Sequence, residues 1–251
     1  MHEGDIMIKS SNPALNSQVF QNERTVASSE KMTVQGTVNK TGLLLLCVLA
    51  TASFTWGRFF NGLDITALTM VGAFTGFIAA LITTFKKDIA HISAPFYALA
   101  QGLFLGGISA IFEAQYPGIV LQAVGLTFST CFCLLGAYKS GMIKVTENFK
   151  LGVAAATGGL FMFYFISFLL SLFGISFGLF HGNGLFSIGL SLVVVGIAAL
   201  NLVMDFDFIE SGEELGAPKY MEWYSAFGLM VTLIWLYIEI LRLLAKLRSR
   251  D

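Results

Sequence analysis

The chain has 251 residues, 55% of them hydrophobic and only 12% charged, with a formal net charge of −1. A soluble domain carries roughly a quarter of its residues charged, and a near-neutral chain lacks the basic footprint of a nucleic-acid binder. Both classes are excluded, and the composition is that of an integral membrane protein.

In chain order, Met1–Lys40 comes first. It is rich in Ser, Asn, Gln, Thr and Val with scattered charges, and Phe20 is its one aromatic. Such a segment buries too little surface to offset its ordering entropy, so residues 1–40 are expected to form a mobile or loosely docked polar tail. It does not read as a signal peptide, because the first apolar run begins only after Lys40 and is too long for an h-region. Residues 41–251 then form a transmembrane domain. An apolar helix of about 20 residues crosses about 30 Å of hydrocarbon. The runs of that length are Thr41–Phe59, Ile65–Phe85, Ala94–Ile111, Gly118–Ala137, Leu151–Phe173, Leu185–Met204 and Met221–Leu244. They are too long, and too free of alternation, for barrel strands. The fold class is therefore all-α, with seven transmembrane helices joined by short loops.

Orientation follows from Lys and Arg. Lys9, Arg24, Lys31 and Lys40 in the tail, Lys86 and Lys87 after the second span, and Lys139, Lys144 and Lys150 after the fourth all fall on one side. Arg58 stands nearly alone on the other, so the positive-inside rule puts the N-terminus in the cytoplasm. The closing Lys246, Arg248 and Arg250 oppose this if there are seven crossings. Seven crossings are favoured; one re-entrant segment, with both termini cytoplasmic, is the alternative.

Glycines recur at small-xxx-small spacing in Gly72–Gly76, Gly102–Gly106 and Gly174–Gly178, which suits close helix packing better than a hinge. Cys47, Cys131 and Cys133 read as inert thiols inside apolar spans. His2, His91 and His181 join no cluster with metal-ligand spacing. No phosphate loop, nucleophile elbow or His-Glu-x-x-His motif occurs, so no enzyme and no resident cofactor is expected.

Carboxylates in or beside the spans carry more information, because a charge there usually faces a cavity or a partner. Asp205 shares a helix face with Asn201, four residues before it. Asp207 lies about 200° around from Asp205, toward a loop, so the two do not form one site. In the last span Glu222, Ser225, Leu229, Thr232, Leu236 and Glu239 fall within roughly 100° of helix face, a polar stripe suited to a centrally packed helix facing an internal cavity. Glu222 and Glu239 are about 25 Å apart along the axis and cannot share an ion. Bland alternatives stand beside both: a headgroup-level Glu222 next to Trp223 and Tyr224, and a Glu239 paired locally with Arg242.

These residues resemble the Bax inhibitor family, the transmembrane Bax inhibitor motif proteins, and within it a bacterial branch. The stretches that carry the resemblance are Ser11-Asn-Pro-Ala-Leu-Asn16, Gln101-Gly-Leu-Phe-Leu-Gly-Gly-Ile-Ser109 with Phe112-Glu113, Met204-Asp-Phe-Asp207, and Gly216-Ala-Pro-Lys-Tyr-Met-Glu-Trp-Tyr224. The resemblance implies six helices surrounding a central seventh, a bacterial inner membrane, and a pH-responsive calcium leak controlled by two aspartates. The first matches Asp205. The second falls ten residues before Arg242, at Thr232, which cannot supply a carboxylate. Asp207, Glu222 or Glu239 could substitute, though calcium wants six to eight oxygen ligands and finds few here.

Three functional expectations follow. One is a proton- or calcium-responsive ion leak with Asp205 as its central ionisable group, the only metal-ligand candidate. Another is a non-transporting modulator of other membrane proteins, such as a quality-control protease. The last is a proton-coupled small-solute transporter. The expected surroundings are the lipid bilayer, calcium or protons, and other membrane proteins; nucleic acid is not among them.

Overall fold

A computed structural model describes residues 31–173 and 184–249. Within them the apolar runs become α1 (Val34–Phe60), α2 (Thr66–Phe85), α3 (Ala90–Gln115, entered through a single 3-10 turn at Lys87–Ile89), α4 (Ile119–Lys139), α5 (Glu147–Leu172), α6 (Leu185–Glu214) and α7 (Met221–Arg248). All seven are long and apolar enough to cross a membrane. Each expected span is one continuous helix. Tail residues 1–30, including the Ser11–Asn16 stretch, and the Gly174–Gly178 pair lie outside the described residues.

The helices outrun the apolar stretches, because backbone hydrogen bonding continues into water for as long as the ends are capped. α6 continues ten residues past Met204, so Asp205 and Asp207 sit inside a helix rather than at its end. The boundary expected at Lys40 also moves. α1 starts at Val34, capped by Thr33, whose hydroxyl accepts the Gly36 N–H at 2.9 Å. Just before it, Lys31 bridges Pro218, the Met32 N–H donates to the Ala217 carbonyl at 2.7 Å, and the Met32 side chain is fully buried. Residues 31–40 are thus docked, with Met32 as the apolar anchor.

Lipid tails are as apolar as leucine, so helix packing in a membrane rests on close contact and on hydrogen bonds. α3 supplies the close contact. A methyl group on Gly102 would overlap the backbone of Val48, and one on Gly106 the backbone of Ala52, so α1 lies directly against this pair. From the other side Gly72 of α2 meets the α3 backbone at Ala100 and Phe104.

α7 packs against α1, α3, α4 and α6, while α2 leans on α3 and α5 on α6. Two apolar clusters meet along α7. Leu229, Leu233, Leu236, Ile240 and Leu241 join Ile119, Ala198, Leu202 and Met32 on one side. Ala226, Phe227, Met230 and Ile234 join Leu44, Val48, Tyr97 and Leu105 on the other. α7 rises about 1.5 Å per residue, so its ends are about 40 Å apart. Val34 is bonded near its start, through Glu213 at 2.9 Å, whereas Arg248 at its end reaches the Pro117 carbonyl at 2.7 Å. The two ends of the described chain therefore lie at opposite ends of the bundle.

Candidate functional site

The polar stripe of α7 is buried along its whole length, from Glu222 through Thr232 to Glu239. It does not face one common cavity. Leu229 and Leu236 fill the intervals with apolar core, leaving three separate polar stations. Glu222 and Thr232 are about 15 Å apart along the axis, and Thr232 and Glu239 about 10 Å.

The first station is Glu222. Its Oε1 accepts the Thr33 backbone N–H at 2.9 Å and the Thr33 hydroxyl at 3.0 Å, with Lys219 Nζ at 3.5 Å. Its Oε2 is ion-paired with Lys40. The Lys40 ammonium also stands 5.5 Å over the Trp223 ring, a cation–π contact. Gly36 is the residue that makes room, because a Cβ there would occupy the place of the carboxylate. Glu222 is thus enclosed by protein on every side. It is the buried acceptor that holds the start of α1 against the start of α7.

The second station is Asp205. The carboxyl belongs to α6 and faces the middle of α7, where the Thr232 hydroxyl is its neighbour. Thr232 also donates to the Gly228 carbonyl at 3.3 Å. Asp205 Oδ2 is buried with no hydrogen-bond partner. From α4, Cys131 is the titratable group close enough to sense its charge. Asn201 serves elsewhere: its amide donates to the Thr157 hydroxyl on α5 and to the Ile197 carbonyl, both at 2.8 Å. Asp207 points away from Asp205 and pairs with Lys150 of α5 at 3.1 Å. One turn on, Glu210 binds the Tyr138 hydroxyl at 2.5 Å and Lys139 at 2.7 Å.

The third station is Glu239, buried and paired with Arg242 at 3.2 Å. Arg242 keeps about half its side chain exposed while the carboxylate stays inside. One turn further, Lys246 turns inward to the Ser187 and Ser191 hydroxyls of α6 at 2.9 and 2.7 Å. Both serines are buried, so the contact is a helix tie and offers no approach to a substrate. Arg248 binds Pro117 and Gln122. Two of the three closing basic residues are thus held by the protein itself; Arg250 lies outside the described residues.

A family model described as Bax inhibitor 1 like matches residues 12–249, nearly the whole chain. The chain belongs to the Bax inhibitor family. No curated protein matches it, and no solved structure does.

For a Bax inhibitor family member, the informative pairing is Asp205 with Thr232. Position 232 faces Asp205 across the α6–α7 interface, so a second carboxylate there would stand against the first. This chain has a hydroxyl at that point, giving a carboxyl–hydroxyl pair. Among the described residues no three His, Cys, Asp or Glu side chains come together as a metal site. Glu222 itself was legible on the stripe, but its partners were not, because Thr33 and Lys40 are 189 and 182 residues away in the chain. A lysine at the mouth of an apolar helix reads equally well as an interfacial anchor.

Proposed function

We propose that this protein is a proton-responsive cation leak of the membrane, with Asp205 as the group that responds. The observation that carries the reading is the Asp205 carboxyl in the middle of the bundle, with Oδ2 buried and unpartnered and only the Thr232 hydroxyl set against it. A buried carboxylate without a counter-ion is costly. Proton uptake at Asp205 removes that charge and lets the carboxyl donate a hydrogen bond, so the α6–α7 contact is the element biased by pH. Leu229 and Leu236 separate the three stations, a closed arrangement in which a hydrated ion has no polar route past either leucine. Opening requires the two helices to shift relative to each other at Asp205.

Thr232 reshapes the chemistry. A pair of acids can share a proton and hold a divalent cation between them, whereas a carboxyl and a hydroxyl offer one charge and few oxygens. The reading therefore assigns proton sensing to Asp205 without tight calcium binding there; calcium is at most cargo. No catalytic step and no resident cofactor is assigned. The reading assumes a bacterial inner membrane with residue 31 on the cytoplasmic side, which the positive-inside rule supports through Lys86, Lys87, Lys139, Lys144 and Lys150.

The test is proton and calcium flux in proteoliposomes between roughly pH 5 and 8, the range over which a proton-gated membrane protein would be expected to respond. Wild type should show pH-dependent flux, and Asp205→Asn, which keeps the shape in a fixed neutral form, should show flux independent of pH. Identical profiles for the two would overturn the reading. The hydroxyl at 232 favours one alternative, a non-transporting modulator of other membrane proteins, and absence of flux in wild type would support it. Proton-coupled solute transport is weaker, since every span is an unbroken helix.

A further inference from the structure

On the side of α7 away from the polar stripe lies a second, chemically different feature, a cavity of about 400 Å³ between α1, α3, α4 and α7. Its back wall is Leu105, Met230, Leu233 and Ile234, all buried. α1 and α4 touch little if at all, since α3 and α7 hold them from behind. The cavity therefore opens through the seam between them. Its rim carries Leu49 and Phe128, which are 58% and 36% exposed on the outside of the bundle. In a membrane-spanning chain that outside is the lipid-facing surface, and the cavity is continuous with it.

We propose that this cavity binds one acyl chain of a membrane phospholipid, entering laterally between α1 and α4. The lining chemistry selects the occupant. Most of its hydroxyls are already used: Ser109 and Tyr237 bond each other at 2.6 Å, and Thr127 donates to the Ala123 carbonyl at 2.7 Å, which leaves the Ser53 hydroxyl and the Trp56 indole among the lining groups. A polar solute or hydrated ion would give up its water and find too few partners to replace it. Water fares no better, because a cavity this apolar stays dry. Left empty, the walls would forfeit the dispersion contacts that hold membrane helices together. The volume lies within the range of small-molecule pockets, roughly 300–1,000 Å³. A flexible hydrocarbon chain restores those contacts, and the bilayer supplies it at the mouth.

Depth fixes the leaflet. The α1 lining begins at Leu45 and ends at Trp56, near the end of that helix, and the α4 lining runs from Val120 to Phe128, at the start of the next. Both belong to the half of the bundle opposite Met32 and Glu222. The chain comes from the leaflet on that side. On the helical wheel the cavity positions of α7 (Met230, Leu233, Ile234, Tyr237) lie about 120° from the stripe that carries Thr232. The lipid site and the Asp205 station are thus two faces of one helix. An acyl chain wedged at Leu233 and Ile234 bears on the helix whose shift the leak requires.

The test is native mass spectrometry of the full chain, reconstituted in phosphatidylcholine vesicles and extracted in mild detergent. Wild type should retain one phospholipid. Val124→Phe and Ser53→Phe fill the cavity from opposite walls and should each cut retention at least fivefold. Leu121→Phe, on the exposed outer face of α4, should leave it unchanged. Circular dichroism checks that each variant is folded, and either filled variant alone suffices. Equal retention by wild type and a folded filled variant would overturn the proposal. So would a dimer that the filled variants abolish, or adducts of free fatty acid in place of phospholipid. The measurement reads lipid mass and is independent of flux, so its failure leaves the Asp205 reading standing, and the reverse.

Discussion

Removing the Glu222 carboxylate should loosen the start of the bundle more than any other single change at its surface. Glu222→Ala deletes the partner of Lys40 and the acceptor of both the Thr33 N–H and hydroxyl. Breaking a buried ion pair by removing one member costs about 3–5 kcal/mol. Lys40 keeps 18% of its side chain exposed and can turn toward water, which puts the ammonium at the lower end of that range. The orphaned Thr33 N–H adds about 1 kcal/mol, because residues 31–33 can release into solvent. The sum is roughly 4 kcal/mol, or about 8–16 °C in melting temperature at 2–4 °C per kcal/mol for a chain of this size. Glu222→Gln keeps an oxygen for Thr33 and loses only the charge, so it should cost about half as much. Thr33→Ala, which removes the α1 cap, should cost about 1 kcal/mol. Thermal unfolding in detergent ranks the three. An alanine variant melting within 2 °C of wild type, or a Thr33→Ala loss exceeding that of Glu222→Ala, would refute the assignment of Glu222 as the hub.

Gly106→Ala should be destabilised by about 2 kcal/mol or more, since the Ala52 backbone cannot give way, whereas Gly125→Ala, with open space around it, should gain up to about 1 kcal/mol; melting curves separate the two. Thr232→Asp sets a second carboxylate against Asp205 and should strengthen both calcium binding and the pH response of flux, and no change in either would show that the α6–α7 geometry is wrong. Asp207→Asn breaks only a half-exposed pair with Lys150, so stability should fall by less than about 1 kcal/mol and the flux profile should stay as in wild type. Asp64 has its carboxyl held below the ordinary range by the Thr66 backbone N–H, a bond of 2.8 Å. Its stabilisation is present above the ordinary Asp value and is lost as pH falls through the lowered one, which an NMR titration of the Asp64 side chain would locate.

The seven spans were legible because hydrocarbon thickness imposes a length on apolar runs. Their ends were not, because helices stop where capping fails: α6 runs on to Glu214 in water-compatible residues, and α1 begins at a threonine inside what reads as a polar tail. The opposed faces of Asp205 and Asp207 followed from helical geometry alone. Asp205's partner was legible only as a choice between Asn201, four residues away, and the polar stripe of the last helix. Tertiary packing gave the Asn201 amide to Thr157 and set Thr232, which helical period already put on the stripe, beside the carboxyl. The family resemblance singled out position 232 within that stripe. Glu222 lay on the stripe as expected, yet its true partners come from a segment whose composition gives no reason to expect order. The Gly102–Gly106 pair was readable, since only close backbone approach calls for that spacing of small residues.

The bond between Lys40 and Glu222 also has a temporal side. α1 carries an ammonium two turns inside its start, and the counter-charge is synthesised 182 residues later. Throughout that interval Lys40 lacks Glu222, and α7 in turn brings a carboxylate that is shared between Lys40 of α1 and Lys219 just before α7. Completion of the bundle therefore closes α1 against α7. Any chain truncated before Glu222 leaves Lys40 without that carboxylate at the entrance of the bundle.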